Sequence, residues 1–464
     1  MFSRANFRFS TDGYYLLAFA HRFWEGHTRL GDFSYMDQTT TFAKLWGHPH
    51  RDRWLWLGFF LAAAAYYYFH FQKYPGGLKL YRHAAECLWN QQVLQACELY
   101  FTYPPAFAFL MLPFASVPIW LATLIWYAIT LACTVLCCRL CEDLTVRMFP
   151  GRWSDREREW LRLWGILLSL KFILAVYEDQ AYDFLVFPLT LFGILALTDR
   201  RNVLAALSLG AAAALKVTPL IFLPYLIFKR RFAAAGIFVI ALILISSLPD
   251  LFLHPQGGTH GYFMTWVREV AARGLFDDAA ASNYAFWSGV NPYNLSLRGA
   301  VALALDKTPY EAEFLFWLRT VQLLFMAVMS ALFIAASRAK MIPIEGALLI
   351  ISALMIAPMT GRGHYVGLLL PYYLVVAGVL MDKKNGWFGI AALGISFSLS
   401  GIPREIVPRT FSEFMAMHSD IIYATLILIV YFGLIIKTPG RWGILPSEPS
   451  RDRAFLAVEA ENRF

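Results

Sequence analysis

The chain has 464 residues, of which 58% are hydrophobic and only 16% are charged. Soluble domains are roughly 45 to 50% apolar and about 25% charged, so this composition excludes an ordinary water-soluble enzyme or binding module. The net charge of +8 does not indicate nucleic-acid binding, because the basic residues form short clusters between apolar runs instead of one continuous stripe. The composition predicts an integral membrane protein.

Long apolar runs predict membrane-spanning helices. Four of them approach or exceed the roughly 18 to 20 residues that a spanning helix needs: Trp54 to Phe71, Ile119 to Leu136, Phe232 to Leu248 and Ile421 to Ile436. None alternates as the strands of a membrane barrel do. About 50 polar and aromatic residues precede the first run, which we interpret as a retained anchor rather than a cleaved signal peptide. We predict an all-α, polytopic membrane protein with roughly 11 to 13 transmembrane helices, some of them short, broken or re-entrant.

Clusters of Lys and Arg predict the orientation, because basic residues in short loops stay on the cytoplasmic side. These clusters lie near residues 51–53, 147–162, 200–201, 229–231, 338–340, 383–384 and 437–441. The other connections are therefore predicted to be external, and they are 72–118, 178–183, 250–313, 358–363 and 402–418. We predict a cytoplasmic amphipathic segment over residues 1–52, a transmembrane domain over 53–437 and a cytoplasmic tail over 438–464.

Two segments do not fit a single span. The segment from Asn202 to Phe228 has basic clusters at both ends and contains Lys216 and Pro219. It therefore predicts a hairpin of two short helices that breaks near Lys216 to Pro219, with Lys216 near the external side. Residues 103–118 are rich in proline and short, which predicts a dipping or partial helix.

The six cysteines fall into two groups. Cys87 and Cys97 share one polar loop and could form a disulfide if that loop faces an oxidising compartment, so the sequence leaves their pairing open. The other four lie at helical spacing at the end of one apolar segment: Cys133, Cys137, Cys138 and Cys141. Cys138 and Cys141 spell CxxC without a His partner, which favours small buried hydrophobes over a zinc site.

The acidic connection between two apolar helices is the strongest candidate site, because ionisable groups beside a membrane segment cost roughly 2.5 to 3.5 kcal/mol and are often functional. It contains Glu178, Asp179, Gln180 and Asp183. Three carboxylates in this turn could bind a divalent cation, position sugar hydroxyls or serve as a base. The structural alternative is a solvated turn that separates two helices.

Two further candidates are cationic. Arg362 and His364 open an apolar helix between glycines, where Arg could hold a phosphate as a fork and His could donate to it or act as acid or base. An interfacial His is the structural alternative. Lys216 is a single ammonium in an Ala/Leu-rich hairpin and could pair with a carboxylate or neutralise the phosphate of a lipid ligand.

The predicted external segment 250–313 carries aromatic, amide and hydroxyl groups that suit sugars, although they also suit a loop that rests on lipid headgroups. Its candidates are Trp287, Asn294, Ser296 and Arg298. No Walker loop, GxSxG, HExxH or strand-linked GxGxxG is present in the sequence. The energy for any reaction is therefore expected to come with the substrate.

An ordered set of short motifs resembles the GT-C glycosyltransferases of family 87, which include the mycobacterial polyprenyl-phosphate-mannose-dependent mannosyltransferases. The motifs are Leu80-Tyr81 with Ala84-Ala85, Phe101-Thr102-Tyr103-Pro104-Pro105, Leu215-Lys216-Val217-Thr218-Pro219 leading to Lys229-Arg230-Arg231, Asn294-Leu295-Ser296-Leu297, and Pro358 through His364-Tyr365. The resemblance covers roughly residues 75 to 380. It implies a GT-C-like catalytic domain over 53–437, in a bacterial inner (plasma) membrane, with its active face periplasmic or extracellular.

The resemblance implies an inverting transfer of a single sugar, mannose or another hexose or pentose, from a polyprenyl-phosphate donor to a lipid or glycan acceptor. A carboxylate in the first external loop acts as base in such enzymes, and cations hold the leaving phosphate. Family members usually carry this Asp four positions before the residue matched by Tyr81, where this chain has Gly77. The substitutes are Glu86, Glu98, Asp179 and Asp183, with His364 as a further catalytic candidate.

The remaining roles follow from the same resemblance. Lys216, Arg362 and Arg298 are expected at the donor phosphate. Sugar and acceptor contacts are expected from Tyr81, Tyr103, Glu178, Gln180, Asn294, Ser296 and Trp287. No cofactor or metal is implied, although a divalent cation is compatible with the carboxylates. The alternatives are a transporter or flippase for polyprenyl-linked sugars, which would show an internal repeat, and a noncatalytic relative that binds the same lipid.

Overall fold

A computed structural model describes residues 51–71, 76–149, 153–257, 260–272, 293–305, 312–382, 386–400, 410 and 420–439. These residues contain α-helices, short 3₁₀ turns and one π-helical turn, and no strand. The predicted all-α class is confirmed. The predicted segment before Arg51 and the tail after residue 439 lie outside the described residues.

Eighteen α-helices occupy the described part of the chain. The first nine are α1 Arg51–Phe71, α2 Gly77–Trp89, α3 Leu94–Cys97, α4 Pro105–Leu110, α5 Leu112–Ala115, α6 Ile119–Met148, α7 Asp155–Glu178, α8 Asp183–Thr198 and α9 Asn202–Leu215. The others are α10 Phe222–Phe228, α11 Phe232–Ser246, α12 Tyr262–Trp266, α13 Leu297–Leu305, α14 Ala312–Arg338, α15 Ile342–Ile356, α16 Leu369–Met381, α17 Trp387–Ser400 and α18 Asp420–Lys437.

Within the described ranges, five helical segments are long and apolar enough to cross a membrane, namely α6, α7, α14, α18 and the combined segment Arg362–Met381. Six further apolar helical segments have 10 to 17 residues. The chain is therefore a polytopic, all-helical membrane protein. The number of 11 to 13 spans stays a prediction.

The segment after α8 breaks where the sequence predicts it. α9 ends at Leu215, Lys216 is extended with φ −148° and ψ 134°, and a 3₁₀ turn from Thr218 leads into α10. Lys216 lies beside the start of α8, whereas Lys229 after α10 pairs with Glu345 at the start of α15. The predicted pair of short helices is confirmed, and it brings Lys216 back to the end of the bundle at which α8 begins.

The turns between the helices lie at two opposite ends of the bundle. We call the end that carries the turn 179–182 the acidic end and the opposite end the basic end. At the basic end, Arg200, Arg230 and Lys340 take φ of 59°, 55° and 58° in tight turns between helices. In each turn the next amide bonds to the carbonyl five residues back, the pattern of a Schellman motif.

Residues 103–118 form the partial helix that the sequence predicts. α4 has six residues and α5 has four, each with a proline in its first turn. Both are too short to cross a bilayer, and both pack on α2. Cys87 of α2 and Cys97 of α3 are disulfide-bonded, a pairing that the sequence leaves open. The four cysteines of α6 are free thiols that pack against the core.

Buried hydrogen bonds fix the acidic end of α7 against α6. Tyr127 donates its hydroxyl to the carbonyl of Tyr177 at 3.2 Å, and the hydroxyls of Thr134 and Tyr177 are 3.0 Å apart. Each lies in the core, where an unmade hydrogen bond would be costly. The turn that follows α7 is therefore held at a defined height in the bundle.

Candidate active site

A cavity of about 490 Å³ opens at the acidic end. Six pieces of chain form its wall: the start of α2, the loop before α4, the turn 179–182, the break after α9, the turn after α12 and the loop before α16. Its lining residues include Gly77, Tyr81, Tyr103, Asp179, Tyr182, Lys216, Trp266 and His364. Asp179 is the only carboxylate and Lys216 the only Lys or Arg among the described lining residues.

The acidic turn is a Schellman motif with a glutamine in the left-handed position. Gln180 has φ 50°, and the amide of Ala181 bonds to the carbonyl of Val176 at 3.0 Å. A non-glycine residue is unfavourable here, but the Gln180 side chain accepts from Leu78 N at 3.2 Å and donates to the Tyr127 hydroxyl at 3.4 Å. Gln180 therefore joins the turn to α2 and α6 and does not line the cavity.

Asp179 lies on the cavity wall next to Gly77. The amide of Gly77 donates to the main-chain oxygen of Asp179 at 2.9 Å. Asp179 is exposed and lines the cavity. Desolvation raises the pKa of its carboxyl to about 6, with Arg362 opposing the rise and Glu178 adding to it. A carboxyl with this pKa is free to accept a proton near neutral pH.

Asp183, Lys216 and His364 form a buried cluster at the base of the cavity. Lys216 Nζ lies 2.6 Å from Asp183 Oδ1, and His364 Nε2 lies 3.9 Å from Asp183 Oδ2. The Lys216 and Asp183 side chains are only 10% and 9% exposed. Asp183 is therefore occupied by an ion pair, while the Lys216 and His364 side chains also line the cavity.

The backbone sets the tautomer of His364. The amide of Gly361 donates to His364 Nδ1 at 3.2 Å, so in the neutral ring Nε2 carries the proton. This N–H faces Asp183 and the cavity. Arg362 does not line the cavity and lies 3.5 Å from Glu178 at the rim. His364 is thereby arranged as a hydrogen-bond donor.

Aromatic rings form one side of the cavity. Tyr103 and Tyr182 meet edge to face at 4.6 Å between ring centroids, and Tyr81 meets both. Lys216 Nζ lies 5.1 Å from the centre of the Tyr182 ring. Desolvation raises the pKa of all three phenols, which keeps them protonated. Among the described residues, no group hydrogen-bonds the buried Tyr182 hydroxyl.

Hydrogen bonds of the Asn294 motif hold the loop before α16 in place. Asn294 Nδ2 donates to the Pro358 carbonyl at 2.9 Å, and its Oδ1 accepts from the Ser296 hydroxyl at 2.8 Å and from the Thr360 amide at 3.2 Å. Tyr365 donates to the Leu295 carbonyl at 2.6 Å. These bonds position the loop that carries His364. Neither Asn294 nor Ser296 lines the cavity.

The other predicted residues lie away from the cavity wall. Glu86 is exposed on α2, and Glu98 lies 2.7 Å from His83 Nδ1. Arg298 is buried, with its guanidinium 5.9 Å from the Phe314 ring. None of the three belongs to the described lining residues. Trp287 lies outside the described residues.

A second, smaller cavity of about 60 Å³ adjoins the first. Lys216, Thr218 and His364 line both cavities. The remaining wall is mainly apolar, with Phe187, Phe222, Ile350, Leu354 and Val366. These three shared residues therefore lie between a large, partly polar cavity and a small, mainly apolar one.

Sequence reasoning did not single out Tyr182, Thr218 or Thr102 as site residues. Tyr182 lies between Gln180 and Asp183, and Thr218 lies in the Lys216 motif, so their positions within these motifs were the available signal. Thr102 lines the cavity, and its carbonyl also accepts from Trp266 Nε1 at 3.0 Å, a long-range contact with no sequence signal.

The fold and the cavity define a multi-pass, all-helical membrane protein with a polar and aromatic site at one end of its helices. Residues 101–359 match the family model of glycosyltransferase family 87. Because this match covers more than half of the chain, the protein belongs to glycosyltransferase family 87 and is a membrane glycosyltransferase of the GT-C superfamily. No curated protein matches the chain.

Proposed function

We propose that the protein transfers one sugar from a polyprenyl-phosphate donor to a hydroxyl of a lipid or glycan acceptor, with inversion at the anomeric carbon and with Asp179 as the base. The observation that carries this proposal is the large cavity, in which Asp179 and the pair Lys216 and His364 face one space. A carboxylate and a cationic site are the two groups that such a displacement needs.

The geometry supports Asp179 over the other three carboxylates. Asp183 is paired with Lys216 at 2.6 Å, Glu98 lies 2.7 Å from His83, and Glu86 is exposed on α2 away from the cavity wall. Asp179 alone lines the cavity, next to the Gly77 position at which the family usually carries Asp. It takes the proton of the acceptor hydroxyl while the acceptor oxygen bonds to the anomeric carbon.

The phosphate end of the reaction is assigned to Lys216 and His364. The bond from the anomeric carbon to the phosphate oxygen breaks, and its electron pair leaves with the polyprenyl phosphate. The ammonium of Lys216, whose side chain is only 10% exposed, and the Nε2–H of His364 stabilise this charge. The small apolar cavity beside them suits the first part of a prenyl chain.

The orientation is proposed from charge and from the disulfide. Arg200, Arg230 and Lys340 lie in turns of the basic end, which the positive-inside rule assigns to the cytoplasm. The Cys87–Cys97 disulfide lies near the acidic end and suits an oxidising compartment. The active face is therefore proposed to be periplasmic or extracellular, in the inner membrane of a bacterium.

The test is transfer by purified protein in nanodiscs with radiolabelled polyprenyl-phosphate mannose, other polyprenyl-phosphate sugars and a membrane lipid extract. Asp179→Asn is expected to lower transfer by about 10²- to 10⁴-fold, because general-base catalysis is lost. Glu86→Gln, a carboxylate on the exposed face of α2, is the matched control and should retain the wild-type rate. No labelled product from any donor would contradict the proposed function, and full activity of Asp179→Asn would contradict the base.

A further inference from the structure

The ion pair of Lys216 and Asp183 occupies the place where the proposed leaving phosphate binds. Lys216 Nζ is 2.6 Å from Asp183 Oδ1, and both side chains are about nine-tenths buried. The second oxygen, Asp183 Oδ2, is buried and makes no hydrogen bond to any described residue. His364 Nε2 lies 3.9 Å from this oxygen. The carboxylate therefore faces both of the groups assigned to the phosphate.

We infer that Asp183 competes with the phosphate for Lys216. Asp183 pairs with Lys216 in the empty site and forms this ion pair again when the polyprenyl phosphate product leaves. Asp183 is thus a positioning residue that acts through Lys216 and sets the affinity for the product. The inference rests on the proposed function, since it takes a phosphate-bearing lipid as the ligand of Lys216.

The charge of the two lipid phosphates explains why a competitor is useful. The sugar-bearing donor is a phosphodiester with one negative charge, whereas the released monoester carries about 1.5 to 2 negative charges near pH 7. A buried ammonium therefore attracts the product more strongly than the donor. A carboxylate beside that ammonium weakens both interactions, and it weakens product binding by the larger amount because the product carries more charge.

The wall of the cavity supports this exchange of partners. Lys216 lines both cavities, whereas Asp183 lines only the smaller one, so the larger cavity offers Lys216 a space that Asp183 does not line. The ring of Tyr182 lies 5.1 Å from Nζ and favours a cation at that position. The Nε2–H of His364 faces Asp183 Oδ2, so the carboxylate keeps a hydrogen-bond donor nearby when Lys216 turns to the phosphate.

The experiment measures binding of farnesyl phosphate to the purified full-length protein, with farnesol and inorganic phosphate as separate probes. Asp183→Asn keeps the volume of the side chain and removes the charge that pairs with Lys216, and we expect it to bind farnesyl phosphate about tenfold more tightly than the wild type because the ammonium is released to the phosphate. Lys216→Met should lose this binding. The double variant should bind as weakly as Lys216→Met, because Asp183 acts only through Lys216.

A matched control is available at the basic end. Lys229 and Glu345 form a second buried pair at 2.9 Å, with side chains 15% and 0% exposed. Glu345→Gln should leave farnesyl phosphate affinity unchanged, which separates the effect from a general loosening of the bundle. Asp183→Ser provides a second neutral variant, expected to bind as tightly as Asp183→Asn, if the Asn protein does not purify as a single species.

The outcomes separate this inference from the proposed function. A wild type that binds farnesyl phosphate, with neutral Asp183 variants that bind it equally or more weakly, overturns the inference and leaves the donor assignment standing. A wild type that binds farnesol as well as farnesyl phosphate, or inorganic phosphate alone as tightly, removes the phosphate lipid as the ligand and overturns both. A loss of affinity in all variants, including Glu345→Gln, shows a structural role for Asp183 and overturns the inference.

Discussion

The pH dependence of transfer is the most direct test of Asp179. Burial raises the pKa of its carboxyl from 3.8 to about 6, so the side chain holds a proton below that pH. A general base must be unprotonated, and the rate is therefore expected to fall as the pH drops through about 6. The log of kcat/KM should decrease with a slope of one on the acid side.

The structure gives the size of the loss. With a pKa of about 6, the carboxylate fraction is about nine-tenths at pH 7 and about one-eleventh at pH 5, which predicts about a tenfold loss of rate. With the ordinary value of 3.8, about 94% of the carboxyl would still be ionised at pH 5, and the rate would hardly change. The transfer rates predicted at pH 5 for the two pKa values therefore differ by about an order of magnitude.

The contribution of Asp179 to folding stability has the opposite pH dependence to its contribution to the transfer rate. The folded state binds the Asp179 proton more tightly than the unfolded chain does, so between pH 3.8 and about 6 the ionisation of this carboxyl lowers stability as the pH rises. Protonation of Asp179 therefore stabilises the folded state in the pH range in which the transfer rate falls. A melting curve at each pH separates the two effects.

Two neighbouring charges provide variants with opposite expected shifts. Arg362 lowers the pKa of Asp179 and Glu178 raises it. Arg362→Gln should therefore move the acid limb of the profile to higher pH, and Glu178→Gln should move it to lower pH. The assay is initial-rate transfer from pH 4.5 to 8 in nanodiscs at fixed ionic strength. A flat profile down to pH 5, or shifts of the same sign in both variants, would refute the assignment of the acid limb to Asp179.

Two further predictions concern the walls of the site. Cys87→Ser removes the disulfide between α2 and α3 and should lower the free energy of unfolding by about 2 to 4 kcal/mol. The melting temperature should fall, and reductant should not lower it further. Cys133→Ser, which changes a free cysteine, should melt as the wild type does, and unchanged melting of Cys87→Ser would argue against a stabilising disulfide. Gly77→Ala would place a Cβ 2.7 Å from the buried Tyr81 hydroxyl and should reduce both folding stability and the transfer rate. Gly58→Ala, whose Cβ would have no atom within 4 Å, should change neither. Equal behaviour of the two variants would show that the residues around Gly77 can move to accept the methyl group.

The fold was largely predictable because membrane insertion leaves few choices. A chain that is 58% hydrophobic must satisfy its backbone within helices when it crosses lipid. The break at Lys216 was predictable as well, since basic clusters on both sides required an even number of crossings between them. The exact extents were not: residues 103–118 form two helices of six and four residues, and proline alone does not set where they end.

The site was predictable in its residue types and less so in their partners. Asp183, Lys216 and His364 were each identifiable as ionisable groups beside apolar helices, but their meeting depends on three separate chain segments. Asn294 and Gln180 were assigned to sugars because amides suit hydroxyls. Their amides instead bond to backbone and side-chain groups of distant segments, which no local pattern records.

The substitution at Gly77 illustrates why a motif position and a chemical role are separable. The Gly77 amide donates to the main-chain oxygen of Asp179 at 2.9 Å, so α2 and the acidic turn meet at this point. A Cβ at Gly77 would lie 3.0 Å from that same oxygen and 2.7 Å from the Tyr81 hydroxyl, which leaves no space for a carboxylate on α2. The carboxylate on the other side of the contact already faces the cavity. A glycine at the usual Asp position is therefore compatible with the proposed base, because Asp179 supplies from the acidic turn the carboxylate for which α2 has no space.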